Sequence, residues 1–203
     1  MTFGKYLIFS SGNQAFPVFC DMESESAFIW TLIQSFSLAN NPLFRKKPFG
    51  ADFPVNNEDS DVNWSSYRLP LTQMWSIANQ STHFRATCNF PTEGLQYIDY
   101  ARAKLDGFDI FGSWDFTCRI YEYINIRGNE CSNCTAATRQ LEGKAWSINS
   151  YRSRLYNCQF DGNPGAEGNE NNFGWFRLVN TNHRCSSSPN STTQYWFGVK
   201  SDL

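Results

Sequence analysis

Apolar and polar positions alternate in short runs along this chain, and Gly, Asn, Ser or Pro separates one run from the next. That is the pattern of β-strands joined by turns. Lys5 to Phe9 and Phe16 to Cys20 read as two strands joined by the turn-forming Ser10-Ser11-Gly12-Asn13. Phe28 to Ser35 is apolar and β-branched enough for a central strand. Residues 40–63 read as loop, with Pro42, Pro48, Pro54 and the acidic run Glu58-Asp59-Ser60-Asp61. A short helix is predicted over Leu71 to Asn79, capped by Thr72, with Leu71, Trp75 and Ala78 on one face. Strand-like runs follow at His83 to Phe90, Leu95 to Ala103, Phe108 to Phe111 and Phe116 to Ile126. From Gly128 onward the texture changes to cysteines, Gly, Asn and isolated aromatics, with strands near Phe173 to Val179 and Gln194 to Lys200. No repeat and no linker divides the chain. The pattern predicts an α+β class: one β-rich domain over residues 1–203 with few short helices. Its C-terminal third, 128–203, is expected to be loop-rich and disulfide-stapled.

Composition narrows the function. The chain of 203 residues carries a formal charge of −2, with 18% charged and 17% aromatic residues. A polybasic nucleic-acid binder and an acidic disordered tail are both excluded. No apolar run is long enough for a membrane span; the best candidate, Ala27 to Ala39, is interrupted by Thr31, Gln34, Ser35 and Ser37. Few charges, many rings and many small polar residues suit a secreted recognition module.

Cysteines and sequons agree with that compartment. Seven cysteines in an oxidising environment read as disulfides, here Cys88, Cys118, Cys131, Cys134, Cys158 and Cys185, with Cys20 left over. Adjacent strands suggest a Cys88–Cys118 bridge, leaving the other four to knit the C-terminal region. Cys131-Ser132-Asn133-Cys134 also has the spacing of a redox or zinc motif, with Cys158, Cys185 and His183 as further ligands. Its setting among Gly, Asn and Ser favours structural bridges. Asn63, Asn79, Asn133 and Asn190 each begin an N-glycosylation acceptor. The first nine residues are too short for a secretory leader, so the chain reads as a mature domain or a piece of a longer one.

Candidate chemistry is sparse. There is no Gly-x-Ser-x-Gly, no His-Glu-x-x-His and no phosphate-cradling glycine loop, and the two histidines, His83 and His183, lie far apart. No catalytic constellation can be assembled, and the chain reads as a non-enzyme. The segment Asp161 to Asn172 offers Asp161, Asn163, Glu167, Asn169 and Glu170 as hard oxygen ligands for calcium. A solvated Gly/Asn loop is the alternative, and the run at residues 58–61 is a weaker second candidate. Phe173, Trp175, Phe176, Tyr195, Trp196 and Phe197 form either a sugar-stacking shelf or core. Alternation sends one of each adjacent pair inward. A ligand is placed at Tyr195 and Trp196, beside the calcium candidate.

The opening segment adds a family resemblance. Gly4-Lys5-Tyr6-Leu7-Ile8, then Phe16-Pro17-Val18-Phe19-Cys20-Asp21-Met22, then Trp30-Thr31-Leu32-Ile33-Gln34, resemble the start of fibrinogen-related domains, including the intelectin branch. Fibrillar-collagen C-propeptides share this start. Three glycines that precede the Trp in the family are replaced by Ser26-Ala27-Phe28-Ile29. The family pairs the Cys-Asp-Met cysteine with one upstream, which makes Cys20 the natural odd one out. The family's calcium run has its nearest analogue at 161–170, followed by Phe173-Gly174-Trp175-Phe176, and its later Cys-His by His183-Arg184-Cys185. The resemblance implies a fibrinogen-like fold and lectin-like binding of glycans, glycoproteins or acylated groups. It also implies calcium dependence, His183 near the ligand, and avidity through a homo-oligomer. The other function it implies is an assembly or adhesion domain of an extracellular matrix.

Overall fold

Ten strands build one antiparallel sheet in the computed structural model, which describes residues 3–10, 12–58, 61–168 and 170–200. In chain order the elements are β1 (Phe3–Phe9), β2 (Ala15–Asp21), β3 (Phe28–Ser37), α1 (Asn41–Phe44), β4 (Ser66–Arg68), α2 (Leu71–Ala78) and β5 (His83–Cys88). They continue with α3 (Phe90–Glu93), β6 (Tyr100–Lys104), β7 (Trp114–Ile126), β8 (Asn129–Leu141), β9 (Lys144–Ile148), α4 (Ser150–Leu155) and β10 (Thr192–Lys200). The sheet runs β1-β2-β3-β10-β5-β6-β7-β8-β9, with β4 paired to β3. The last strand in sequence is therefore central. Among the described residues the protein is β-rich with few short helices, and no helix is long and apolar enough to cross a membrane.

Strands β3 and β5 pair with the two edges of β10, and aromatic side chains cover both of its faces. Tyr195 packs against Phe49, Phe84 and Trp146, while its neighbour Trp196 packs against Phe19, Trp64 and Phe90. The residues of the opening motif lie side by side on β2 and β3, with Cys20 opposite Thr31 and Asp21 opposite Trp30. Ala27 takes a positive φ of 65° in the turn before β3, a conformation that costs an L-residue energy.

Irregular segments are held by buried arginines. Arg68, fully buried, donates to the carbonyls of Lys47, Pro48, Phe49 and Ala51 and to Gln34 Oε1. One guanidinium thus satisfies the backbone of a loop that has no ladder of its own.

Several expectations are corrected. Helix α2 has no Thr72 cap: Pro70 precedes it, and Asp52 Oδ1 accepts the Leu71 N–H at 2.9 Å. Its buried face is Met74 and Ile77, and Trp75 is exposed. The strand expected from Leu95 begins only at Tyr100, after Asp99 at φ 54°. Phe108 and Ile110 are buried, yet they lie in a turn rather than a strand. Phe173 to Val179 is not a strand, because Gly174 at φ 77° ends the single bridge between Phe173 and Ile148. The region from Gly128 is not loop throughout, since β8 and β9 extend the sheet. A strand as polar as β8 forms because it pairs along its length with β7 through the two-residue turn Arg127-Gly128, both at positive φ. Ser11, Asp59, Ser60 and Asn169 lie outside the described residues.

The disulfides are Cys88–Cys185, Cys118–Cys158 and Cys131–Cys134. All six expected cysteines are bridged, but Cys88 and Cys118 are not partners. Strand β6 lies between β5 and β7, which sets their strands about 9.5 Å apart, beyond the reach of a bridge. Cys20 is free and buried, with its Sγ 3.8 Å from Thr31 Oγ1.

Candidate functional site

The residues expected to hold a ligand at the C-terminal end do not reach the surface. His183, Tyr195 and Trp196 are all at most 2% exposed, so the shelf placed at Tyr195 and Trp196 is core. Trp196 is fixed there by donating Nε1–H to Thr87 Oγ1 at 2.9 Å. His183 packs against the rings of Phe173 and Phe176, with Nε2 3.6 Å from Asp99 Oδ1. Burial pulls its pKa below the ordinary histidine value, against the opposing pull of Asp99. Cys88, His183 and Cys185 are the one group of three that could ligate a metal among the described residues. Two of the three sulfur and nitrogen donors are already spent, since Cys88 and Cys185 form a disulfide.

The loop expected to bind calcium is organised around a cation of the chain's own. Arg127 donates to the carbonyls of Gly162 and Pro164, to Asn172 Oδ1 at 3.0 Å and to Glu170 Oε1 at 3.0 Å. Glu170 Oε2 accepts from Asn180 Nδ2 and from the Glu167 N–H. Asp161 turns outward to Arg154, accepting from Nε at 2.9 Å. Asn163 and Glu167 face a cleft instead. The carboxylates therefore diverge, and the carbonyls a metal ion would use already point at a guanidinium. Among the described residues, Asp161, Asn163, Glu167 and Glu170 do not fit a calcium ion.

That cleft, of 540 Å³, is the better candidate site. Its floor is Trp175, half-buried, and Phe116, 7% exposed; its walls are Arg139, Arg152, Arg177, Asn149 and, from the facing loop, Asn163, Glu167, Glu170 and Asn171. Phe116 is aimed there by a β-bulge, where the register slips between Trp114 and Thr117 and its own φ is 39°. Bulges and left-handed backbone at a bulky residue are devices for redirecting a side chain at a site. Trp175 is aimed by Gly174: a Cβ there would meet the Trp146 carbonyl oxygen at 2.1 Å, so only glycine lets the chain pass. The amides are pre-set, with Asn149 donating to Asn171 Oδ1 and accepting the Arg152 N–H at 2.8 Å.

Cations crowd the two rings. Lys144 Nζ lies 4.4 Å from the Trp175 centroid, with the guanidinium carbons of Arg45, Arg139 and Arg177 at 5.6, 5.6 and 5.9 Å. Arg139 and Arg152 lie 4.3 and 5.2 Å from the Phe116 centroid. Of all these residues, sequence reading singled out only Trp175, Asn163, Glu167 and Glu170. The cations come from five separate segments with no spacing in common, so no linear signal pointed to them. No known family, curated protein or solved structure matches this chain. The four glycosylation acceptors, Asn63, Asn79, Asn133 and Asn190, are all exposed.

Proposed function

We propose that this is a secreted, disulfide-bonded domain of fibrinogen-like type that recognises glycans, and that the ligand lies in the Phe116–Trp175 cleft. The observation that carries the reading is Trp175, a half-buried ring on the cleft floor flanked by pre-set asparagine amides. Rings pack on the C–H faces of sugars and amides bind their hydroxyls, which is the usual lining of a small polar-ligand site. Fixing the amides before binding lowers the ordering cost. Three disulfides support the oxidising compartment. The adjacent Cys-Asp-Met and Trp-Thr-Leu segments support the family resemblance. Calcium has no part in the reading. A glycan array probed with wild type and Trp175→Ala, each with chelator present, is the test: binding that Trp175→Ala abolishes is expected, and binding that survives it places the ligand elsewhere.

A second reading, an assembly domain, rests on β1. It ends the sheet, and Leu7 and Phe9 on it are 68% and 59% exposed. An apolar edge strand is a template for pairing with another chain. Sedimentation of wild type against Leu7→Lys separates the two readings: this one requires wild type to self-associate and the variant to be monomeric.

A further inference from the structure

We infer that the ligand of the Phe116–Trp175 cleft is an anionic glycan, one bearing sulfate or carboxylate groups. This rests on the glycan reading above. Five cations, Arg45, Arg139, Lys144, Arg152 and Arg177, surround the two rings, in a protein whose acidic residues outnumber its basic ones 19 to 17. Among the described residues none of the five has a carboxylate within ion-pair distance, whereas Arg85, Arg102, Arg127, Arg154 and Arg184 each do. Elsewhere Arg68 and Arg119 also lack a carboxylate, but both donate to backbone carbonyls, which among the described residues no guanidinium of this site does.

The guanidinium donors are idle as well. Arg45 Nε and Arg139 Nε are buried without an acceptor, as is the Nε of Arg68, Arg85 and Arg119 elsewhere, but Arg68 and Arg85 spend their other guanidinium donors on carbonyls and carboxylates and Arg45 and Arg139 do not. Planar guanidinium forks match carboxylate and sulfate oxygens, and charge-assisted bonds of this kind are the strong ones. The cleft's own acids do not answer them: Glu170 is committed to Arg127, and Glu167 is exposed on the opposite wall. A neutral sugar would fill the space over Trp175 and leave the charges of Arg139, Arg152 and Arg177, which line the cleft, unmet. A nucleic acid would need a groove tracking its backbone over several nucleotides, and the cations here gather around two rings.

The test measures binding of heparin oligosaccharides, hyaluronan oligosaccharides (carboxylate without sulfate) and neutral cello-oligosaccharides to the whole chain. Wild type, Trp175→Ala, Lys144→Gln/Arg177→Gln and Lys104→Gln are compared at low and physiological salt. Lys144 and Arg177 are partly or fully exposed, and unchanged melting confirms that their variants fold. Expected are tighter binding of one or both anionic ligands than of the neutral one, and a loss of about tenfold with added salt. A similar loss is expected in Lys144→Gln/Arg177→Gln and none in Lys104→Gln, which lies on β6. The two anionic arms show whether sulfate or carboxylate is read. Neutral sugar bound as tightly, in a Trp175-dependent way, overturns the anionic inference and leaves the glycan reading standing. No glycan bound at all overturns both. A single-stranded oligonucleotide bound as tightly as heparin overturns it too, by making the patch a general polyanion surface.

Discussion

Arg85 donates to Asp21 Oδ2 at 2.6 Å, with neither side chain exposed to any extent. The same guanidinium lies between two indole rings, 4.6 Å from Trp30 and 4.7 Å from Trp196, and reaches Glu25 Oε2 at 3.2 Å. Tyr100 donates its hydroxyl to Glu25, and Arg102 closes the cluster. The Asp of the Cys-Asp-Met motif and the Trp of the Trp-Thr-Leu motif therefore meet on one arginine of β5. In this chain the motif is a packing device that joins β2, β3 and β5.

Removing one member of such a cluster leaves a buried charge without its partner. Asp21→Ala is expected to cost about 3–5 kcal/mol in chemical denaturation. A surface pair gives the contrast: Asp161→Ala, which frees the exposed Arg154, is expected to cost under about 1 kcal/mol. Equal losses would show that Arg85 is satisfied without Asp21.

Acid should weaken the fold in two stages. Burial lowers the pKa of both His83 and His183; Glu122 opposes it at the first and Asp99 at the second. A histidine depressed in the folded state is protonated first in the unfolded chain. Stability from these two is therefore complete above pH 6.5 and falls as the pH drops below that value. At Asp21 burial pushes the pKa up, but Arg85 and hydrogen bonds from Ser24 pull it further down. Its contribution is complete above pH 3.8 and is lost as the pH falls below that. Melting temperature measured across pH should show the first decline shrink in His183→Phe. An unchanged first decline would assign it to other groups.

The three bridges should differ in worth according to the chain they close. Cys88–Cys185 spans 97 residues and Cys118–Cys158 spans 40, whereas Cys131–Cys134 spans 3 within β8. In the chain-entropy picture the first contributes roughly 4–5 kcal/mol and the second somewhat less. Replacing Cys131 and Cys134 with serine should lower the melting point least of the three double replacements. The ranking, read by thermal unfolding under oxidising conditions, fails if the short bridge proves the most costly to lose.

Calcium and chelator should give the same melting temperature for the wild-type chain, because a ligand raises it only by binding the folded state. Arg127→Leu should lower it sharply, since Glu170 is then buried without its cation; about 3–5 kcal/mol is expected. A calcium-dependent rise of several degrees in wild type would mean that the loop can exchange its guanidinium for a metal.

The sequence by itself determined the β-rich class, the first three strands to within two residues at each end, the helix near residue 71 and the six bridged cysteines. These follow from short-range signals: alternation, turn residues and cysteine count act over a few neighbouring positions. It did not determine which cysteines pair, because that depends on β6 lying between β5 and β7. Nor did it show that adjacent Tyr195 and Trp196 are both buried, because alternation sends one of two neighbours outward only when a sheet has a bare face. Packing of aromatic side chains on both faces of β10 removes that bare face. The cleft was the least legible part. Phe116 and Arg139 reach it from β7 and β8, Arg152 from α4, and Trp175 and Arg177 from loops, with Lys144 of β9 and Arg45 beside the Trp175 ring, so only the tertiary fold brings their charges and rings within a few ångströms.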